Sequence, residues 1–227
     1  MDPVSVTTIS SGNPATLSRH RPSTSSSFFT IIQRLTDTGS TDGTKAAARE
    51  RGARVFDFPW RDDFAAARNY SFSQGRGTYL FWLDADDVVR PDQRRRLLDL
   101  KERLGRESCL PDVVMMKYAA AFRRDGSLAA AFYRERLIRR GPGAVWKGRV
   151  HEAVRPFGII WKEDIWIEHR KMRIRDPERN LRILESMRRD GEAFGPREWY
   201  YYEMEKAFAR KYRGGAGDRM GSGDTGE

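Results

Sequence analysis

The sequence predicts an α/β fold with an open, mainly parallel sheet and helices on both faces, followed by a short helical C-terminal segment. Three observations support this prediction. Short apolar segments alternate with segments that carry helix-capping and helix-ending residues. Their order, strand–helix–strand–helix–strand, requires the crossover connections that are typical of parallel strands. A chain of 227 residues is also long enough to bury one sizeable core.

The first half of the chain supplies three predicted strand–helix pairs. The strands are FFTIIQRLT at 28–36, ARVFDF at 53–58 and TYLFWL at 78–83. The helices that follow them are STDGTKAAARERG at 40–52, DDFAAARNYSFSQG at 62–75 and RPDQRRRLLDLKERLG at 90–105. Ser40 or Asp42 can cap the first helix, Pro91 suits the first turn of the third, and each helix ends at a glycine.

The second half predicts a hairpin, one more strand and two helices. DVVMMKYAAAF and AAAFYRERLIR flank the turn sequence RRDG, and IIWKEDIWIEH is strand-like. DPERNLRILESMRRDG predicts a helix that buries Leu181, Leu184 and Met187 or Arg188 along one side. A last helix, PREWYYYEMEKAFARKY, is rich in aromatic residues, and we interpret them as a packing face.

Composition divides the chain into four parts. Residues 1–30 are rich in Ser and Thr without apolar periodicity, so we expect a disordered tail. The predicted α/β domain spans 31–170, a helical C-terminal segment spans 171–213, and a glycine-rich flexible tail spans 214–227. No apolar run approaches the roughly 20 residues that cross a bilayer, and no signal-peptide pattern is present.

Cysteine content and charge narrow the function classes. Cys109 is the only cysteine, which excludes an intrachain disulfide and favours a reducing compartment. We therefore expect a cytoplasmic protein, with peripheral attachment to the inner face of the membrane left open. The net charge of +10 suits an anionic ligand or an acidic membrane surface. Because no nucleic-acid-binding motif accompanies the charge, we expect no specific nucleic-acid partner.

The acidic sequence DADD follows the third predicted strand directly. Asp84, Asp86 and Asp87 lie where that strand leaves the sheet, and ligands of open parallel sheets bind beyond the carboxyl ends of the strands. Clustered carboxylates disfavour one another's ionisation unless a cation or donors neutralise them. One reading is a site for a divalent cation. The alternative is that Asp87 caps the next helix and the other acids are solvated.

A second motif, DTGSTDGT at 37–44, also follows a predicted strand and enters a helix. Asp37 would stand at the tip of a strand that neighbours the one ending at Asp84. Gly39 and Gly43 permit tight turns, and the hydroxyls and helix N-terminus suit a polar or anionic ligand. A plain strand-to-helix connection is the alternative, but it accounts for the capping residues and not for the whole motif.

Together, DTGSTDGT, FPWRDDFAAARNYSF and GTYLFWLDADDVV resemble the nucleotide-sugar domain of family 2 glycosyltransferases, which has the GT-A fold. The resemblance is to the branch often fused to tetratricopeptide-type repeats. It is close over residues 35 to about 105, and looser through WKGRVHEAV and IEHRKMRIRDPERNLRILE. It implies a glycosyltransferase that moves a sugar from a nucleotide-diphosphate donor, expected to be a UDP-sugar, to an acceptor nucleophile with inversion. The acceptor class stays open among a glycan, a lipid-linked sugar and a protein.

The resemblance also implies roles for residues on the donor side. Asp37 resembles the aspartate that hydrogen-bonds the nucleotide base, and Ser40 and Asp42 lie in the same loop. Arg68 and Asn69 lie in the helix that usually approaches the nucleotide.

The remaining implied roles concern the diphosphate and the acceptor. Asp84 resembles the acid near the ribose and a ligand of Mg²⁺ or Mn²⁺, and Asp86 resembles the metal ligand that bridges to the diphosphate. His169 resembles a histidine that closes over the diphosphate or metal, although a strand-end histidine bonded to backbone is the alternative. Glu152 is the candidate base for the acceptor hydroxyl, with another acid as the alternative. His151 beside it is either catalytic or a structural donor.

One part of the family pattern is not recognised in this sequence. Family members begin with a central strand upstream of the DTGST motif, and residues 1–30 offer no comparable apolar segment. We therefore expect the first strand to be missing. This expectation motivates the second hypothesis, a truncated or degenerate domain that acts as a binding module. A basic nucleic-acid binder is a third hypothesis that rests on charge alone.

Overall fold

The computed structural model describes residues 4–10, 34–123, 125–170 and 176–217, with side chains in the parts 34–123, 125–170 and 176–213. The strands are β1 Val4–Ser10, β2 Arg34–Asp37, β3 Arg54–Asp57, β4 Tyr79–Asp84, β5 Asp87–Val88, β6 Val113–Phe122, β7 Leu128–Arg139, β8 Trp146–Lys147, β9 Ala153–Val154 and β10 Ile160–His169. The helices are α1 Thr44–Glu50, α2 Phe64–Ser73, α3 Pro91–Arg106, α4 Arg179–Arg189 and α5 Pro196–Gly217.

Eight strands form one sheet in the order β3–β2–β1–β4–β7–β6–β10–β5. The first four run parallel to one another. Strand β7 is antiparallel to both β4 and β6, so β6 points the same way as the first four. Strand β10 is parallel to β6, and β5 returns antiparallel at the edge. The expected open, mainly parallel α/β sheet is therefore confirmed.

Strand β1 corrects the expectation of a missing first strand. Val4–Ser10 lies between β2 and β4 and pairs in parallel with both, inside the region expected to be disordered. Its sequence, VSVTTIS, consists of β-branched residues and serine, and β-branched residues fit a pleated strand. The segment is short and is followed by many serines and threonines, so the composition of this region did not indicate a strand. The rest of the expected tail and residues 28–33 of the first predicted strand lie outside the described residues.

Helices cover both faces of the sheet, because β4 alternates its side chains between two cores. Tyr79, Phe81 and Leu83 lie in the core that α3 covers. Leu80 and Trp82 lie in the core that α2 covers. This alternation follows from the two-residue period of a strand. Being apolar on both sides, β4 is a central strand, as its sequence predicts.

The two C-terminal helices pack on each other. Leu181, Leu184 and Met187 of α4 are buried against Tyr202 and Ala209 of α5, which confirms the predicted apolar side of α4. Helix α5 continues to Gly217, beyond the predicted start of the flexible tail at residue 214. None of the helices in the described ranges combines the length and hydropathy needed to cross a bilayer.

Candidate functional site

Asp37 and Asp84 lie at the same edge of the sheet. Asp37 ends β2 and Asp84 ends β4, and β1 runs between them with Ser10 opposite Asp37 and Ile9 opposite Asp84. Neighbouring strands are about 4.8 Å apart, so the two aspartates are separated by roughly 10 Å. This edge is the carboxyl end of the parallel strands, where such sheets bind ligands.

The carboxylate of Asp37 is held by its own loop. Its Oδ2 accepts hydrogen bonds from the backbone N–H groups of Gly39 at 3.2 Å and Ser40 at 2.9 Å. Asp37 is only 1% exposed, and its Oδ1 has no hydrogen-bond partner among the described residues. A buried carboxylate oxygen without a donor costs free energy, so the site suits a ligand that brings an N–H group.

Two other polar residues of the DTGSTDGT loop, Ser40 and Asp42, have different surroundings. The Ser40 side chain is buried, and its Oγ also lacks a hydrogen-bond partner in the described structure. Asp42 Oδ1 accepts from the N–H of Thr44 at 3.0 Å in the turn that leads into α1, but the N-cap of the helix is Gly43, so the expectation that Ser40 or Asp42 caps it is wrong. Ser40 therefore retains a free hydroxyl near Asp37, while Asp42 stabilises the turn that leads into α1.

Asp87 is buried, contrary to the reading that made it a helix cap. Its side chain is fully buried, and its Oδ2 accepts from the N–H of Asp84 at 3.0 Å and from Arg136 Nη1 at 2.7 Å. Helix α3 begins instead after Arg90, without a side-chain cap. Burial by itself raises the pKa of Asp87, but Arg136, His169 and the Asp84 N–H together outweigh it and the pKa is lowered.

Asp86, Asp87 and His169 form a compact group. His169 ends β10 and lies opposite Asp87 of β5, so pairing of two strands brings the imidazole to the acidic turn. His169 Nδ1 is 3.4 Å from Asp86 Oδ1 and 3.4 Å from Asp87 Oδ1. One ligand atom from each residue lies within 4.8 Å of the other two. The group thus contains Asp86 and His169, both predicted metal ligands, together with Asp87.

The electrostatics of this group reflect crowding of like charges. Burial raises the pKa of Asp86, and the charges of Asp84 and Asp87 raise it further against the opposing effect of His169. Burial lowers the pKa of His169, but its proximity to Asp87 and Asp86 outweighs this and the pKa is raised. Burial followed by the nearby acids likewise raises the pKa of Tyr118, whose ring lies 5.6 Å from the imidazole of His169. A proton or a cation therefore stabilises the cluster.

The group fits a divalent cation. Asp87 Oδ1 and His169 Nδ1 are buried and have no hydrogen-bond partner within the described ranges, which leaves ligand atoms available. Mg²⁺ is usually held by one or two carboxylates together with substrate phosphates, and carboxylates also suit Mn²⁺. Asp84 is not part of this group, because its Oδ1 accepts from Arg68 Nη2 at 2.8 Å. Asp86, Asp87 and His169 are therefore the residues that would hold the ion.

Arg68 connects the acidic turn to the predicted acceptor side. Its Nη2 donates to Asp84 Oδ1 at 2.8 Å and its Nε donates to Glu152 Oε1 at 2.5 Å. The guanidinium is buried between the rings of Trp82 and Trp146, with centroids at 4.6 and 4.7 Å. Burial lowers the pKa of Arg68, but the two carboxylates outweigh it and raise the pKa. Arg68 thus stays charged and fixes the position of both acids.

Asn69 makes a structural contact. Its side-chain N–H donates to the carbonyl of Trp146 at 3.0 Å, and its Oδ1 accepts from the N–H of Trp146 at 2.9 Å. The amide group thereby attaches α2 to the start of β8. The nucleotide contact that the resemblance implies for Asn69 stays a prediction.

His151 contacts the C-terminal helix α5. Its Nε2 lies 2.8 Å from Glu205 Oε1 of α5, and its ring stacks on Tyr201 with centroids 3.9 Å apart and planes at 7°. The two residues of the predicted pair therefore differ: Glu152 contacts Arg68 of the site, whereas His151 contacts the C-terminal helix.

Arg136 is a site residue that sequence reasoning missed, and Asp87 was considered there with helix capping as the alternative. The Arg136 side chain is fully buried and its guanidinium lies 3.9 Å from the Trp82 ring centroid and 4.5 Å from that of Tyr118. In the sequence it is one of many arginines, and only the alternation of β7 places it on an inward-facing position. Asp87 was visible in DADD, but its buried partner lies 49 positions away.

Two comparisons with known proteins, one with family models and one with curated sequences, bear on the family of the chain. A family model described as glycosyl transferase family 2 matches residues 31–166. A TPR repeat-containing protein of Synechococcus elongatus is 45% identical over 53 residues, which make up 23% of this chain and 13% of that protein. The present chain therefore corresponds to a small part of that curated relative.

Two solved structures resemble the chain. S. aureus TarS 1–349, solved with UDP-GlcNAc, is 11% identical, with 81% of this chain and 65% of that chain covered and a TM-score of 0.48. Glucosyl-3-phosphoglycerate synthase from Mycobacterium tuberculosis, solved with phosphoglyceric acid, is 14% identical, with coverage of 85% and 81% and a TM-score of 0.46.

The family match extends over more than half of the chain and contains the acids that end β2 and β4. The resemblance seen in the three sequence motifs is thus confirmed. The chain belongs to the family 2 glycosyltransferases.

Proposed function

We propose that the chain is a metal-dependent glycosyltransferase that moves a sugar from a nucleotide-diphosphate donor, a UDP-sugar, to an acceptor nucleophile with inversion. The observation that carries the proposal is that Asp37 and the group Asp86, Asp87 and His169 lie at one edge of the sheet. This arrangement supports the proposal, because one ligand could then reach Asp37 with its base and the group with its diphosphate.

On the donor side, the buried Asp37 Oδ1 accepts the N–H of the nucleotide base. The opposite oxygen is already fixed by two backbone N–H groups, so little conformational freedom is lost when the base binds. Ser40 Oγ supplies a further polar contact. Asp84, whose Oδ1 is fixed by Arg68, is assigned to the ribose.

At the diphosphate, Asp86, Asp87 and His169 would hold Mg²⁺ or Mn²⁺. The bound ion supplies Lewis-acid stabilisation of the diphosphate leaving group as its charge develops. Arg136 keeps Asp87 ionised and fixed, so one ligand oxygen is orientated before substrate binds. This preorganisation lowers the cost of assembling the site.

On the acceptor side, Glu152 accepts the proton of the acceptor hydroxyl. Arg68 bonds Glu152 Oε1, and the proposal assigns the proton to Oε2. His151 takes no part in the chemical step, because its ring is directed towards Glu205 and Tyr201. The acceptor is a glycan, a lipid-linked sugar or a protein nucleophile.

The reason for considering a truncated or degenerate binding module no longer holds. It depended on a missing central strand, and β1 fills that position. Calorimetry with UDP and Mn²⁺, followed by turnover of UDP-glucose and UDP-GlcNAc, distinguishes an enzyme from a module that binds without turnover. The anomeric configuration of the product, read by NMR, tests inversion.

Asp86→Asn is the decisive variant for the metal. It removes the negative charge of a proposed ligand, so the Mn²⁺-dependent affinity for UDP should fall at least about tenfold, with a parallel loss of turnover. Asp99→Asn is the matched control, because Asp99 is an exposed acid on α3. Equal Mn²⁺-dependent affinities for wild type and Asp86→Asn would contradict the assignment.

A further inference from the structure

We propose that helix α5 is a positioning element of the reaction site and acts on Glu152 through His151. The inference rests on the proposed function, in which Glu152 is the acceptor-side base. The contacts that carry it join the C-terminal helix pair to the loop between β8 and β9. Glu205 and His151 are positioning residues in this proposal.

The loop adopts a backbone conformation that needs support. His151 has φ of 53°, in the left-handed region that costs an ordinary side chain free energy. Gly148, three positions earlier, has φ of 95°. A non-glycine residue persists in such a conformation only where its surroundings determine it. The contacts of the His151 side chain supply those surroundings.

Helix α5 contacts His151 in three ways. The imidazole stacks nearly parallel on Tyr201, and its Nε2 lies 2.8 Å from Glu205 Oε1. Arg197 Nη2 donates to the backbone carbonyl of His151 at 2.8 Å. Asn180 of α4 donates to the same Glu205 Oε1 at 2.9 Å, so the acid itself is orientated by the neighbouring helix. Ring, ring nitrogen and backbone are thus all fixed from one side.

The hydrogen bond of Glu152 comes from a different helix. Its Oε1 accepts from Arg68 of α2, and the strand residue Trp146 is joined to Asn69 of the same helix. The neighbouring residue Arg149 is also anchored, with its carbonyl accepting from the N–H of Phe64 at 2.8 Å and its Nη1 donating to Asp190 at 2.7 Å. Adjacent residues 151 and 152 are therefore hydrogen-bonded to different helices, His151 to α5 and Glu152 to α2.

This arrangement gives the C-terminal helices a function in the site. Because His151 and Glu152 are adjacent, a change in the backbone at 151 turns the carboxylate of 152 relative to Arg68. A displacement of about 1 Å at a reacting group can reduce a rate about a hundredfold. Asp37, at the end of β2, is held by its own loop, whereas Asp84 is linked to Glu152 through Arg68 and keeps its own bond to that guanidinium.

The test compares His151→Asn and Glu205→Leu with the control Glu203→Gln. Asparagine tolerates a positive φ but removes the stacked ring, and leucine removes the acid while it retains an apolar volume. Glu203 is an exposed acid on the same helix, paired only with nearby Lys206 in the contacts described. The two test variants should lower kcat for Mn²⁺-supported hydrolysis of UDP-glucose or UDP-GlcNAc about 10- to 100-fold, with donor KM within about twofold of wild type. The control should match wild type in both.

A second measurement does not need activity. Hydrogen–deuterium exchange should accelerate at the amides of residues 148–152 in both test variants and stay unchanged in Glu203→Gln. Unchanged exchange in the test variants overturns the proposal, and so does faster exchange with an unaltered kcat. A wild-type chain that neither binds UDP nor turns over overturns the proposed function and the catalytic consequence with it, while exchange still decides whether α5 holds the loop.

Discussion

The two acidic positions at the sheet edge are built differently. Asp37 is fixed by N–H groups two and three positions further along the chain. Asp87 is fixed by Arg136, 49 positions away, and faces His169 from another strand. The first position is thus specified by a short loop, and the second by the assembly of β5, β7 and β10.

The two carboxylates therefore depend on different parts of the structure. A change in the loop after β2 should disturb Asp37 and leave the rest of the sheet intact. A change at Asp87 or Arg136 removes one member of a fully buried ion pair, and the cost then falls on the stability of the whole domain. Substitutions near Asp37 should therefore act locally, whereas substitutions at Asp87 or Arg136 should lower the free energy of unfolding of the whole domain.

Arg136→Met is expected to have the largest effect on stability. It leaves the Asp87 carboxylate buried without its cation, and breaking a buried pair from one side costs about 3–5 kcal/mol. Urea denaturation measures the loss as a lower free energy of unfolding. Arg95→Met, on the exposed side of α3, should change that free energy by less than about 0.5 kcal/mol.

The double variant Arg136→Met with Asp87→Leu sharpens this prediction. Replacing both members of a buried pair with apolar side chains can be close to neutral for stability, although it removes a proposed metal ligand. The double variant should therefore be more stable than Arg136→Met alone and should bind Mn²⁺ more weakly than wild type. A double variant as unstable as the single one would show that the pair is not the source of the cost.

The same contrast explains how much the sequence could predict. DTGSTDGT carries its own turn residues, so the loop could be predicted locally, although the N-cap of α1 is Gly43 and not Ser40 or Asp42. Asp86 and His169 were predicted from the resemblance, and strand pairing brings them together. Arg136 could not be predicted, because one arginine among many shows its burial only when β7 is paired with β4 and β6.

The first strand was missed for a different reason. In VSVTTIS the side chains carry little apolar volume, and the segment gains its place from pairing with β2 and β4. Such strand formation depends on neighbours that lie far along the chain. The contact of Asp84 with Arg68 could not be predicted for a related reason, since spacing alone does not reveal which side chain holds its Oδ1, and its predicted metal role stays a prediction.

Asp37→Asn is expected to have an intermediate effect, on ligand binding. One side-chain oxygen can still accept from Gly39 and Ser40, but the other position becomes an N–H₂ group that faces the N–H of the base. The affinity for UDP should fall by about 1–3 kcal/mol, or roughly 5- to 150-fold in Kd, measured by calorimetry.

Asp57→Asn is a closely matched control for Asp37→Asn. Asp57 ends β3 directly opposite Asp37, and Lys45 Nζ lies 3.7 Å from Asp37 Oδ2 and 2.9 Å from Asp57 Oδ1, but the Asp57 side chain is 66% exposed. It should leave the Kd for UDP unchanged. Equal losses in the two variants would indicate a general effect of charge at this edge rather than a contact of Asp37 with the base.

Gly39→Ala is expected to have the smallest effect on stability and tests whether the loop acts alone. Gly39 has φ of 115°, which an alanine adopts only under strain, although a Cβ would meet no neighbour within 4 Å. The free energy of unfolding should fall by about 1–3 kcal/mol, and UDP affinity should fall with it because the Gly39 N–H orientates Asp37.

Gly43→Ala is the control, since Gly43 has φ of −69° and equally open surroundings. There the reduced entropy of the unfolded chain opposes the poorer capping by alanine, so stability should stay within about 0.5 kcal/mol. If both variants keep wild-type affinity for UDP, the conformation of the loop does not set the position of Asp37, and the contrast between a locally built and an assembled half of the site fails.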